Sequence, residues 1–129
     1  MIKETKIALR DYLFSFLTEN KKTLIDQALS KRTRYMTIVL EDIFKSFNAN
    51  AVMRSADCFG VQNVHIIENK HEYEFNPHVA KGAVKWLSRI RYNEKENNTL
   101  ECINHLKQQG YRIVATTPHT DDVLLPDFD

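Results

Sequence analysis

The sequence predicts an α/β fold: a parallel sheet with an N-terminal helical extension before it. Three observations carry this expectation. Apolar residues recur at helical spacing through residues 4–30, compact β-branched runs then alternate with amphipathic segments, and Gly60 and Gly110 stand where two of those segments end. Hydrophobic residues at 43% and charged residues at 27% are the balance of a chain able to bury a core rather than remain disordered.

Ile7, Ala8, Tyr12, Leu13, Phe16 and Leu17 form one stripe, and Leu24, Ile25, Ala28 and Leu29 a second. Two short helices are therefore expected, broken near Thr18-Glu19-Asn20. Met36 to Leu40 suits a buried strand. Asn48 is expected to cap a helix over 49–59, with Ala49, Val52, Met53, Ala56 and Phe59 on its apolar side and Gly60 just past its end. Val64 to Ile67 reads as a second strand. The polar stretch 68–85 reads as a long loop of the kind that carries function. A short strand is expected within Trp86–Tyr92, a helix over 96–109, and a further strand over Arg112 to Thr116. Residues 1–34 thus form the extension and 35–129 the α/β domain. The last stretch, 118–129, is irregular and acidic, and no helix follows to cover the sheet, so the domain is expected to be incomplete.

Charge is unevenly spread. The net charge is +1, yet residues 1–34 hold eight Lys/Arg against four Asp/Glu, a local +4. That asymmetry suits a basic arm meeting a phosphate backbone, or equally a solvated helix face. No apolar run approaches the roughly 20 residues that span a bilayer. Cys58 and Cys102 form no CxxC, and the five histidines show no ligand spacing, so reduced thiols, no metal and a cytoplasmic location are expected. His65 alternates with strand apolars and reads as a packed residue. With glycine only at 60, 82 and 110, no GxGxxG phosphate turn exists.

Asn48 and Arg54 are the polar residues of most interest. Spacing alone leaves two readings open. They are a helix cap and a surface arginine, or two groups converging on the crevice at the carboxyl ends of parallel strands, where α/β folds bind ligands.

The segment Leu40 to Gly60, LEDIFKSFNANAVMRSADCFG, resembles the first signature motif of the SpoU/TrmH RNA 2′-O-ribose methyltransferases of the SPOUT superfamily. Asn48, Ala51, Arg54, Asp57 and Gly60 fall on that pattern in register. LSKRTRYMTIVLEDI, FGVQNVHII, KGAVKWL and RIVATT follow the family's order, and the helical start is similar to the TrmH branch. Ser46-Phe47 stands where the family usually has Pro-His, and Asn50 where it usually has a small residue.

The resemblance implies methyl transfer from S-adenosylmethionine to a ribose 2′-hydroxyl of RNA, with tRNA guanosine the expected substrate and a homodimer the expected assembly. It implies the first half of a SPOUT domain, with the knotted C-terminal segment absent and this chain alone inactive. It assigns catalysis to Arg54 and Asn48, and cofactor contact to Thr116 and Thr117. A 2′-hydroxyl is a poor nucleophile at neutral pH and must be oriented and partly deprotonated. Arginine, with a pKa above about 12, is an awkward base. Gripping the adjacent phosphate and stabilising the developing alkoxide suits it better. Lys31, Arg32 and Arg34, just before the first strand, and Lys81 and Lys85 in the long loop are expected to meet RNA phosphates, or else to solubilise the surface. The rival reading is a non-catalytic RNA-binding or dimerisation module that keeps this half of the fold.

Overall fold

A computed structural model describes residues 2–73, 85–119 and 123–128. Helix α1 spans Lys3–Ser15 and α2 spans Glu19–Ser30. The break between them falls at Thr18, whose hydroxyl caps α2 by accepting from the Lys21 N–H. Neither helix buries a residue among those described.

Strands β1 (Ile38–Glu41), β2 (Asn63–Ile67) and β3 (Ser88–Tyr92) form a parallel sheet in the order β1-β2-β3. Val39 lies opposite His65, and His65 opposite Ile90. The central strand β2 is buried on both faces, which is why it reads as a nearly continuous apolar run. Helix α3 (Ser46–Cys58) lays Ala49, Met53 and Ala56 on one face, against Leu40, Val64 and Ile66. Helix α4 (Asn98–Gln108) lays Cys102 and Leu106 on the other, against Ile67 and Tyr92. His65 is buried as its alternation predicts, with Nδ1 3.0 Å from the Tyr92 hydroxyl.

The extension joins the sheet through a tight seam. The Thr33 N–H donates to the Gly60 carbonyl, and the Gln62 N–H to the Thr33 carbonyl, at 2.8 and 2.9 Å. Gly60 has φ +73°, and a Cβ there would collide with the Lys31 carbonyl oxygen. Conformation and close approach both require glycine.

Two expectations are corrected. Asn48 does not cap α3. The helix starts at Ser46 after Lys45, and the Asn48 N–H already donates to the Lys45 carbonyl. The buried stripe carries the helix further back than the capping preference suggests, because Asn50 is also buried and its amide donates to the Ser46 carbonyl at 2.8 Å. Second, Arg112 to Thr116 forms no strand. Its start is anchored where the Tyr111 hydroxyl donates to the Arg34 carbonyl, yet the stretch stays exposed and joins no described ladder. β-propensity expresses fit to a paired, half-buried surface, and without a partner strand it does not act.

Candidate functional site

The three strands run in one direction, so their carboxyl ends gather the loops that follow them, where α/β folds place ligands. At this edge Asp42 leaves β1 with φ +46°, a conformation that aspartate tolerates better than most residues. Its Oδ1 accepts the N–H groups of Asn69 and Lys70 at 2.7 and 2.8 Å, and more distantly that of His71. The Lys70 N–H, with its neighbours, holds this carboxyl below the ordinary aspartate range against a smaller opposing effect of burial. One side chain thus ties the loop before α3 to the loop after β2.

Glu68 organises the other half of the edge. Burial pushes its carboxyl up, but Arg91 donates Nε to Oε2 and Nη2 to Oε1, both at 2.7 Å, and the Tyr73 N–H adds a third bond. The balance leaves Glu68 below the usual carboxylate range. Asn98, at the start of α4, donates to the Glu68 carbonyl. The Tyr73 hydroxyl donates to Asn50 Oδ1 at 3.0 Å and so clamps the post-β2 loop to α3. The asparagine that departs from the family pattern is therefore a buried latch.

Against this scaffold α3 presents its outer side. Asn48, Ala51 and Arg54 succeed one another at three-residue steps and are all exposed. Asn48 and Arg54 each flank Ala51 but, six apart, lie about 120° from each other around the helix. The side chains of Asn48 and Arg54 make no hydrogen bond or ion pair to any described residue. Both stand on the solvent-exposed part of α3.

Arg32 pairs with Asp57, their side chains 10% and 25% exposed, and Nη1 also donates to the Val61 carbonyl at 3.4 Å. That guanidinium fastens the extension to the far end of α3. Lys31 and Arg34 are exposed beside it, and Lys85 is exposed before β3. Lys81 lies outside the described residues, as does most of the long loop around it.

Thr116 and Thr117 stand exposed in the irregular stretch after α4; Thr117 Oγ1 accepts from the His119 N–H at 3.2 Å. A cofactor of nucleoside size needs an enclosed, mostly apolar cleft. Two clefts among the described residues, about 380 and 370 Å³, are lined respectively by residues around Asn69 and Thr99, and by Tyr73, Leu87, Arg89 and Arg91. Neither is lined by Thr116 or Thr117, and these two exposed threonines do not by themselves enclose such a group.

Sequence reasoning missed the edge network of Asp42, Glu68, Arg91 and Asn98. One signal was available: Arg89 and Arg91 alternate in a strand, which puts two guanidinium groups on one sheet face.

A parallel sheet covered by helices on both faces, with its loops tied together at the carboxyl edge, defines a domain of the open α/β class. The chain belongs to the SpoU rRNA Methylase family, whose model matches residues 35–129. It is 42% identical over 105 residues to the tRNA (guanosine(18)-2′-O)-methyltransferase of Borreliella burgdorferi, covering 81% of this chain and 46% of that protein. It is 30% identical over 93 residues to the enzyme of the same name from Escherichia coli, covering 71% and 38%. The fold is similar to the crystal structure of the A. aeolicus TrmH/SpoU tRNA modifying enzyme, with a TM-score of 0.68, 22% identity, and coverage of 81% of this chain and 52% of that one. The chain spans about half the length of the relatives it matches. Among the described residues, no helix is long and apolar enough to cross a membrane.

Proposed function

We propose that this chain supplies the RNA-facing part of an S-adenosylmethionine-dependent tRNA 2′-O-ribose methyltransferase acting on a guanosine, working as a homodimer in the cytoplasm. The observation that carries the reading is the exposed part of α3. Asn48 and Arg54 are exposed there and make no hydrogen bond or ion pair to a described residue, in a chain of the SpoU family. A guanidinium with no internal partner keeps its planar donors for a phosphate, which it can grip through two parallel hydrogen bonds. Held there, it also favours negative charge developing on the adjacent 2′-oxygen. The proton passes to the phosphate or to water, because arginine retains its own. Asn48, one ridge step from Ala51, orients the same backbone. When bound, the methyl donor would supply the electrophilic carbon and leave as its thioether. The family likeness assigns Thr116 and Thr117 to contact with it.

Residues 1–34 form the basic extension, in which Lys31 and Arg34 are the exposed cations nearest the domain. Binding through phosphate contacts releases counterions, so it weakens linearly in log salt. Replacing Lys31 and Arg34 together by Ala is expected to weaken tRNA binding and to flatten that slope by roughly one to two ions. An unchanged slope would show that these side chains only solubilise the surface. Arg32 is left out of the variant because its removal would strand Asp57.

A second reading draws on the cleft geometry: a non-catalytic RNA-binding or dimerisation module. Tight RNA binding by an intact protein that neither binds the methyl donor nor transfers methyl would favour it.

A further inference from the structure

Phe47 is the most exposed large apolar side chain within α3, at 65%. Single exposed apolar residues are common and mean little alone. Three features of its surroundings give this one a use. Phe47 and Arg54 are seven residues apart in one helix, so they lie within about 20° of the same line along it, with a rise of roughly 10 Å between them. Ala51 stands between them and adds almost no bulk. Helical side chains lean toward the N-terminus, so an arginine at 54 tends to reach over Ala51 toward the ring.

The ring itself is uncommitted. Phe44, also exposed, packs edge-on against His71 with centroids 5.0 Å apart, whereas Phe47 has no ring partner among the described residues. The exposed charges on α3 and at its N-cap are both positive. Lys45 and Arg54 are exposed, while the acidic side chain of α3, Asp57, is paired with Arg32. Exposed Phe59 lies at the opposite end of α3, away from the carboxyl edge.

A flat apolar ring and a guanidinium with no described partner on nearly one line of the helix, with small Ala51 between their heights, match the parts of a nucleotide: an unstacked base for the ring and its neighbouring phosphate for the cation. We infer that Phe47 is a stacking platform for an unpaired base of the bound RNA, next to the phosphate that Arg54 grips. This rests on the RNA-binding reading above and adds to it a preference for unpaired over duplex RNA. Stacking is tolerant of base identity, so Phe47 positions the strand rather than reading its sequence.

The test is the affinity of the full chain for an unmodified tRNA transcript and for a fully paired RNA duplex. The proteins compared are the unaltered chain, Phe47→Ala, Phe47→Leu and Phe47→Tyr. Ala and Leu are each expected to weaken tRNA binding by roughly five- to fiftyfold. Tyr is expected to stay within about twofold, because it keeps the π-face. Duplex affinity and the salt slope should not move, since no charge is removed. If Leu binds tRNA as well as Tyr, the residue is an apolar filler and the inference fails. If Ala weakens duplex and tRNA alike, the loss is structural and the inference also fails. RNA binding indifferent to residue 47 overturns the stacking role alone. No RNA binding by the unaltered chain overturns the functional reading with it.

Discussion

Gly60 shows how much a single residue can hold. Its φ of +73° and its approach to the Lys31 carbonyl allow no side chain, and its own carbonyl accepts the Thr33 N–H that seats the extension. Gly60→Ala is expected to cost about 3 kcal/mol, combining left-handed strain with a backbone clash. That corresponds to a fall in Tm of roughly 10 °C by thermal denaturation. A Tm within about 2 °C of the unaltered chain would show that the seam relaxes freely. The glycine was legible as a helix terminator because that role is local. Its contact with Lys31 was not, since the two are far apart in sequence. Arg32 hides a similar surprise: a basic residue in a basic stretch reads as an RNA contact, while its partner Asp57 is 25 positions away.

At the scale of elements, the strands and helices follow local rules where the rules are complete. β2 is buried from Val64 to Ile67 because helices cover both its faces, and Thr18 caps α2 by ordinary chemistry. The failures fall where a distant partner decides. Arg112 to Thr116 has strand composition but no ladder among the described residues, and α3 begins before its apparent cap because Asn50 is needed inside by Tyr73. Bonds spanning 23 to 30 positions, such as Arg91 to Glu68 and Asn98 to Glu68, leave no pattern in a window of sequence. The carboxyl edge they build is testable by acid. Glu68 and Asp42 both titrate below their unfolded values of 4.5 and 3.8. Their stabilisation is therefore fully present above those values and is lost as pH falls through the lower folded ones. Glu68→Gln should flatten the fall of Tm below about pH 4.5, with stability measured at closely spaced pH. A fall as steep as in the unaltered chain would mean that the Glu68–Arg91 bonds contribute nothing.

For the whole molecule, acid sensitivity starts earlier. His65 is buried against Tyr92; burial, and secondarily the nearby His105, push its pKa below 6.5. The unfolded chain then binds a proton that the folded chain refuses, so stability should decline from about pH 6.5 downward, before the carboxylates act. A Tm that rises between pH 6.5 and about 5 would contradict this. The same molecule separates two roles by location. Ionic and amide groups tie the loops together at the carboxyl edge, whereas on α3 the exposed side chains of Asn48 and Arg54 make no hydrogen bond or ion pair to a described residue. The family pattern made Asn48 and Arg54 visible as a pair in sequence, whereas their exposure needed the structure.

The central claim is that Arg54 acts through its planar fork rather than its charge. Arg54→Lys keeps the charge and loses the bidentate geometry. In the intact protein, single-turnover transfer of methyl to tRNA by this variant is predicted to be slower by at least about 100-fold, roughly 2.7 kcal/mol. Tm should hardly change, since Arg54 is exposed and makes no hydrogen bond or ion pair to a described residue. A lysine variant that keeps more than about a third of the rate, a barrier change below roughly 0.7 kcal/mol, would contradict the account and make Arg54 a positioning charge.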